Sequence, residues 1–268
     1  MIFADKLLSA SRLNTSLVCV GLDPDEKLMP KMSVLDFNKA IIDATADLVC
    51  AYKPNLAFYE ALGISGLQAL LKTVEYIPDG IPIIGDGKRG DIGNTAKAYA
   101  RALFEIFGFD AATVSPYLGH DSIEPFLDYA DKGVFILCRT SNPGAADFQD
   151  AGDKEGKPLY QLVAGKAKQW DKHGNVGLVV GATYPEELKA IRELCPDMPL
   201  LIPGIGAQGG DLACAVKNGV DVLGEKAIIA VSRQIIYASR EKDFARVARQ
   251  SAEQLRKTIN EMVGSVTR

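Results

Sequence analysis

Eight short runs rich in Val, Ile and Leu punctuate the chain: SLVCVGL (16–22), LVCAYKP (48–54), IPIIGD (81–86), AATVSP (111–116), GVFILC (133–138), VGLVVGA (176–182), PLLIPG (199–204) and AIIAVS (227–232). Their apolar residues are nearly continuous rather than alternating, which is the pattern of strands buried on both faces and hence of a parallel sheet. Segments with helical spacing lie between them: DFNKAIIDATADL before the second run, NTAKAYARALFEIFG after the third, PEELKAIRELC after the sixth and KDFARVARQSAEQLRKTINEMV near the end. Asp36 for the first segment and Asn94 or Thr95 for the second are the capping residues expected to open them. Eight strand-helix units in 268 residues predict an α/β fold of the (β/α)8 barrel type, with an open doubly wound sheet as the alternative. No Gly/Ser linker, charge block or internal repeat divides the chain, so residues 1–268 are expected to form one domain.

Composition narrows the choice of partner. With 47% hydrophobic and 24% charged residues the chain can bury a large core. The net charge of −4 gives no broad reason to bind nucleic acid or an anionic membrane. No run approaches the ~18–20 apolar residues of a membrane span, and the start, MIFADKLLSASRL, lacks the apolar core of a signal peptide. Cys19, Cys50, Cys138, Cys195 and Cys214 are scattered without metal-ligand spacing, which reads as thiols in a reducing compartment. A cytoplasmic protein with a small-molecule partner is expected.

The chemistry-bearing residues gather at strand ends. Asp86 and Lys88 are two apart at the exit of the third run, so on a continuing strand both side chains point to one side. Asp23 follows the first run, Lys53 stands in YKPN at the exit of the second, Ser141 follows the fifth and Arg233 the eighth. The C-terminal ends of barrel strands form the face that carries activity, so these groups are expected to share one site. Each also has a plainer reading: Asp23 before Pro24 as a turn former, Lys53 before Pro54 as a solvated strand end, and Asp86 with Lys88 as an ordinary salt bridge. PGIGAQGGD, Pro203 to Asp211, packs Gly204, Gly206, Gly209 and Gly210 ahead of a helix start expected around Asp211. Inward-turned N–H groups of such a loop cradle phosphate, with Gln208 as hydrogen-bond donor and Arg233 as the positive charge, although a tight connection is the simpler alternative. The longest irregular stretch, RTSNPGAADFQDAGDKEGKP (139–158), lies on the same face and is a candidate lid or a mere surface excursion. His120 and His173 have no partner at ligand spacing, and neither a dinucleotide fingerprint nor a Gly-x-Ser-x-Gly elbow is present. His120, in YLGHDS, reads as a loop residue.

The Asp-x-Lys-x-x-Asp-Ile pattern of Asp86, Lys88, Asp91 and Ile92, together with GLDPD, KPN, TSNPGA and PGIGAQGGD in that order, resembles the orotidine 5'-phosphate decarboxylase family from about residue 17 to residue 238. KRGDIGNTA is similar to the longer bacterial and archaeal branch. Where family members often carry Gly-Arg at the end of strand eight, this chain has Ser232 and Arg233. The resemblance implies cofactor-free, metal-free decarboxylation of orotidine 5'-monophosphate to uridine 5'-monophosphate in pyrimidine biosynthesis. It further implies a homodimer in which Asp91, Ile92 and Thr95 reach into the partner's site. Lys88 would be the proton donor within a charge network of Lys53, Asp86, Lys88 and the partner subunit's Asp91. Asp23 and Lys53 would hold the ribose, Ser141 the pyrimidine edge, and Gln208 with Arg233 the phosphate, flanked by Pro203, Gly209 and Ser232. Two alternatives stay open: a magnesium-dependent phosphosugar decarboxylase or aldolase on the same barrel, and a catalytically silent phosphate-binding barrel.

Overall fold

All eight apolar runs form parallel strands in a computed structural model that describes residues 1–206 and 209–266. They are β1 (Val18–Leu22), β2 (Ala51–Pro54), β3 (Ile84–Arg89), β4 (Ala111–Val114), β5 (Gly133–Arg139), β6 (Val176–Val180), β7 (Leu200–Pro203) and β8 (Ala227–Val231). Neighbours pair in the order β2-β1-β8-β7-β6-β5-β4-β3, and single bridges Tyr52 to Ile83 and Asn55 to Asp86 close β2 onto β3. The result is the expected single-domain (β/α)8 barrel rather than the open sheet.

The helices are α1 (Phe3–Asn14), α2 (Val34–Thr45), α3 (Leu56–Glu60), α4 (Gly63–Tyr76), α5 (Gly93–Arg101) and α6 (His120–Leu127). They continue with α7 (Leu159–Trp170), α8 (Pro185–Leu194), α9 (Leu212–Gly219), α10 (Arg233–Ile236) and α11 (Phe244–Val266). Two expected caps are corrected. Ser33, not Asp36, caps α2: its Oγ accepts from the Asp36 N–H and donates to the Asp36 carboxylate, so Asp36 stands at the third helical position. Neither Asn94 nor Thr95 caps α5, because the helix has already begun at Gly93; Asp91 Oδ1 instead accepts from the Ile92 N–H at 2.8 Å and shapes the entry. The helix start around Asp211 is as expected, with Asp211 capping α9 through the N–H groups of Ala213 and Cys214. His120 opens α6 against Trp170 rather than sitting in a loop.

Alternation along each strand sorts the core into two layers. Val18, Val20, Val134, Leu178, Ile202 and Ile229 face the helices, and Cys19, Ile84, Phe135, Leu201 and Ile228 fill the barrel interior. α1 lies across the N-terminal mouth and plugs it. Its Phe3 and Leu7 join the interior cluster, Phe3 meets Phe135 edge-on at 5.6 Å, and Lys6 pairs with Asp110 at 2.8 Å just before β4. Gly133 is required at the base of β5, since a Cβ there would lie 2.4 Å from the Phe3 ring. No described helix is long and apolar enough to cross a membrane.

Because Phe3 fills the floor of the barrel, at the end opposite the strand exits, Phe3→Ala should cost stability and spare the site. Loss of a buried aromatic ring typically costs about 3–5 kcal/mol. Chemical denaturation should show that loss, with the catalytic rate per folded molecule unchanged; an unshifted midpoint would mean that α1 does not hold the barrel shut.

Candidate active site

The charged exit of β3 becomes a site because the strand does not end where its apolar run ends. The ladder to β4 continues to Arg89, whose carbonyl accepts from the Ser115 N–H at 2.8 Å, and this carries Asp86 and Lys88 up to the barrel rim. The strand is not regular there: Lys88 has a left-handed φ of 47°, and the register shifts between Gly85 and Arg89. Asp86 and Lys88 therefore meet through a bulge, not through the simple two-residue alternation expected from their spacing. Arg89, just beyond, pairs with Glu60 at the end of α3 and lies over the Tyr99 ring.

Asp86 is the hub. Its Oδ2 accepts from Lys53 Nζ at 2.8 Å, and its Oδ1 accepts from Lys88 Nζ at 2.5 Å and from Thr113 Oγ at 3.0 Å. The side chains of Asp86 and Lys53 are 8% and 9% exposed, whereas that of Lys88 is 47% exposed. Burial works against both inner charges. It would raise the Asp86 carboxyl, but Lys53 and Lys88 outweigh it and hold that carboxyl well below the usual carboxylate range. It would lower Lys53, but Asp86 and then Asp23 outweigh it and hold the ammonium above the ordinary lysine value.

Beside this network lies a cavity of about 150 Å³ whose lining includes Asp23, Lys53, Pro203, Gly204, Ser232 and Arg233, from the ends of β1, β2, β7 and β8. Asp23 Oδ1 and Ser232 Oγ are buried there without a hydrogen-bond partner among the described residues, so the lining offers polar atoms to a hydroxylated or phosphorylated ligand. Gly204, Gly206 and Gly209 all take positive φ, a backbone that glycine adopts without strain. Gln208 lies outside the described residues. Asp211 already occupies the free amides at the start of α9, which leaves the loop backbone and Arg233 as anion donors.

Ser141 sits where the loop after β5 crosses the end of β6. A Cβ on Gly181 would lie 2.7 Å from the Ser141 Cα, so glycine permits this approach, and Thr183 donates to the Ser141 carbonyl at 3.1 Å. The loop is folded onto its own root: Gln149 exchanges hydrogen bonds with Thr140, and the buried Arg139 reaches Asp150 at 3.0 Å under the Tyr184 ring. Position 139, expected in the loop, is the last residue of β5.

Asp91, Ile92 and Thr95 are not brought to this cavity. Asp91 is half-buried, and the hydrogen bond of its carboxylate among the described residues goes to the Ile92 N–H; Ile92 and Thr95 are exposed. Sequence reading missed Thr113 and Arg139. The first was visible only as one hydroxyl inside the apolar run AATVSP, and the second as a charge at the very end of GVFILC. Among the described residues no three His, Cys, Asp or Glu side chains converge as a metal site.

Similar proteins carry the same architecture. The model of the Orotidine 5'-phosphate decarboxylase / HUMPS family matches residues 16–248. The orotidine 5'-phosphate decarboxylase of Dehalococcoides mccartyi is 56% identical over 264 residues, covering 97% of this chain and 98% of that one. That of Thermomicrobium roseum is 52% identical, covering 97% and 95%. The solved OMP decarboxylase of Leishmania donovani is 40% identical with a TM-score of 0.89, covering 98% of this chain and 100% of that one. A lysine-carboxylate network at the rim of a barrel, beside a cavity lined from four strand ends, thus occurs in a chain that belongs to the orotidine 5'-phosphate decarboxylase / HUMPS family.

Proposed function

We propose that this chain decarboxylates orotidine 5'-monophosphate to uridine 5'-monophosphate without metal or organic cofactor, with Lys88 as the proton donor. The observation that carries the reading is the ammonium of Lys88, held at 2.5 Å by a buried carboxylate yet half open to the rim. When the bond from C6 of the pyrimidine to its carboxylate breaks, carbon dioxide leaves and the electron pair stays on C6. That carbanion has no good electron sink, so preorganised positive charge must lower the barrier. Lys88 supplies that charge and then transfers a proton to C6, leaving a neutral amine that is reprotonated from water. Asp86 holds Lys88 in place, and Lys53 balances Asp86.

The remaining roles follow the cavity. Asp23 and Lys53 hold the ribose hydroxyls, Ser141 the pyrimidine edge, and Arg233 with Gln208 the phosphate, beside Pro203, Gly209 and Ser232. The loop at 139–158 acts as a lid, and gripping the distant phosphate favours its closure. Asp91, Ile92 and Thr95 serve the other site of a homodimer; their placement away from the cavity and the exposure of Ile92 support this. The cytoplasm is the matching compartment, supported by five free thiols of which four are buried. The relatives' common name favours this reading over a phosphosugar enzyme or a silent barrel.

Purified protein should consume orotidine 5'-monophosphate, followed by its absorbance, equally well in the presence of a chelator, and Lys88→Ala should abolish turnover. A magnesium requirement would move the assignment to the phosphosugar alternative.

Mixing tests the shared site. Inactive Lys88→Ala and Asp91→Asn proteins, after verified subunit exchange, should together recover about a quarter of wild-type activity, since half the dimers are mixed and each has one intact site. No recovery would place Asp91 in its own chain's site.

The network also sets a pH dependence. The folded-state value of Asp86 lies below its unfolded value, so its stabilisation is complete above about pH 4 and fades as the pH falls through the folded value. Asp86→Asn should lower the thermal midpoint at pH 7, and the gap to wild type should narrow below about pH 4. A gap that stays constant into acid would show that the ionised carboxylate does not stabilise the fold.

A further inference from the structure

The left-handed backbone of Lys88 is a cost that something must offset, since a non-glycine residue adopts it only when its surroundings enforce it. The register locates the enforcing group. Gly85 pairs with Ala112 and Arg89 with Val114, so three residues of β3, positions 86 to 88, face the single residue Thr113 on β4. A regular ladder would pair backbone with backbone across this gap. Here the Lys88 N–H donates instead to Thr113 Oγ at 2.9 Å, and the same hydroxyl donates to Asp86 Oδ1 at 3.0 Å. The proton order is fixed by chemistry: an amide N–H can only donate and an ionised carboxylate can only accept, so the hydroxyl must take one bond and give the other. Thr113 is 1% exposed, which denies water the chance to replace it.

We infer that Thr113 is a positioning residue for the proton donor: one buried hydroxyl fixes both the backbone of Lys88 and the carboxylate that holds its ammonium. It is not among the residues that line the cavity. Its effect is to set where the Lys88 Nζ stands relative to the carbanion, and misplacement by about 1 Å can cost on the order of a hundredfold in rate. The inference rests on Lys88 being the proton donor. It also explains why the bulge is tolerated, because the N–H freed from the ladder is satisfied and not orphaned.

The test compares Thr113→Val, which keeps the shape and removes the hydroxyl, with Thr113→Ser, which keeps the hydroxyl, and runs Lys88→Ala alongside. The expected result for Thr113→Val is a fall in kcat of tenfold or more with KM changed less than about threefold, and for Thr113→Ser a kcat within about threefold of wild type. A merely structural role would not separate kcat from KM or distinguish the two variants. Should Thr113→Val not fold, Thr113→Ala against Thr113→Ser makes the same comparison. Wild-type kcat in the variant lacking the hydroxyl, or equal losses in both variants, would overturn the inference while inactive Lys88→Ala left the reading of Lys88 standing. Turnover retained by Lys88→Ala would overturn both.

Discussion

A carboxylate buried between two ammonium groups is the constraint on which the site depends. Each ion taken out of water forfeits several kcal/mol of solvation, which is recovered only if partners are placed well. Asp86 meets that condition with Lys53, Lys88 and the Thr113 hydroxyl around its two oxygens. Lys53 and Asp86 are 9% and 8% exposed, and only at Lys88, at 47%, does the chain of charges open to solvent. The inner pair is thereby fixed by the barrel, and the outer ammonium is the one left facing the rim.

That fixity draws on packing far from the charges. β2 and β3 join only through single bridges at Tyr52–Ile83 and Asn55–Asp86, so this seam is the least cross-linked junction in the sheet. It is also the junction the network spans, since Lys53 lies in β2 and Asp86 in β3. The ion pair, with Arg89 and Glu60 just above it, thus reinforces the seam where backbone pairing is thinnest. Below, α1 fills the interior and leaves the strand ends at the opposite rim as the part of the barrel free to vary.

Much of this was legible in the sequence. Parallel strands buried on both faces have to be apolar throughout, so all eight announce themselves, and their polar exits mark the active face. The spacing of Asp86 and Lys88 suggested a common side, and they do meet, but by a bulge that no residue pattern announces because Lys88 is not a glycine. The caps of α2 and α5 were misplaced because a short polar residue in a first turn has the same composition signal as a cap, and only backbone geometry separates them. Thr113 was hidden because threonine suits a strand as well as any β-branched residue, and its hydroxyl gains meaning only from the register opposite. The placing of Asp91 across an interface came from resemblance alone, since a single chain's periodicity carries no information about its partner.

The alternation of sign in this chain gives a reason for the shared site of the proposed reading. Asp23 acts on Lys53, Lys53 binds Asp86 and Asp86 binds Lys88, so within one subunit the series ends on an ammonium. The next group in such a series is an anion, and Asp91 of the same chain is turned away toward the Ile92 N–H. On the proposed reading two anions then compete for that position, the partner subunit's Asp91 and the substrate carboxylate. Departure of neutral carbon dioxide removes one of them while the new charge on C6 develops within reach of Lys88. On the same reading, supplying that second carboxylate across the interface ties completion of the site to assembly.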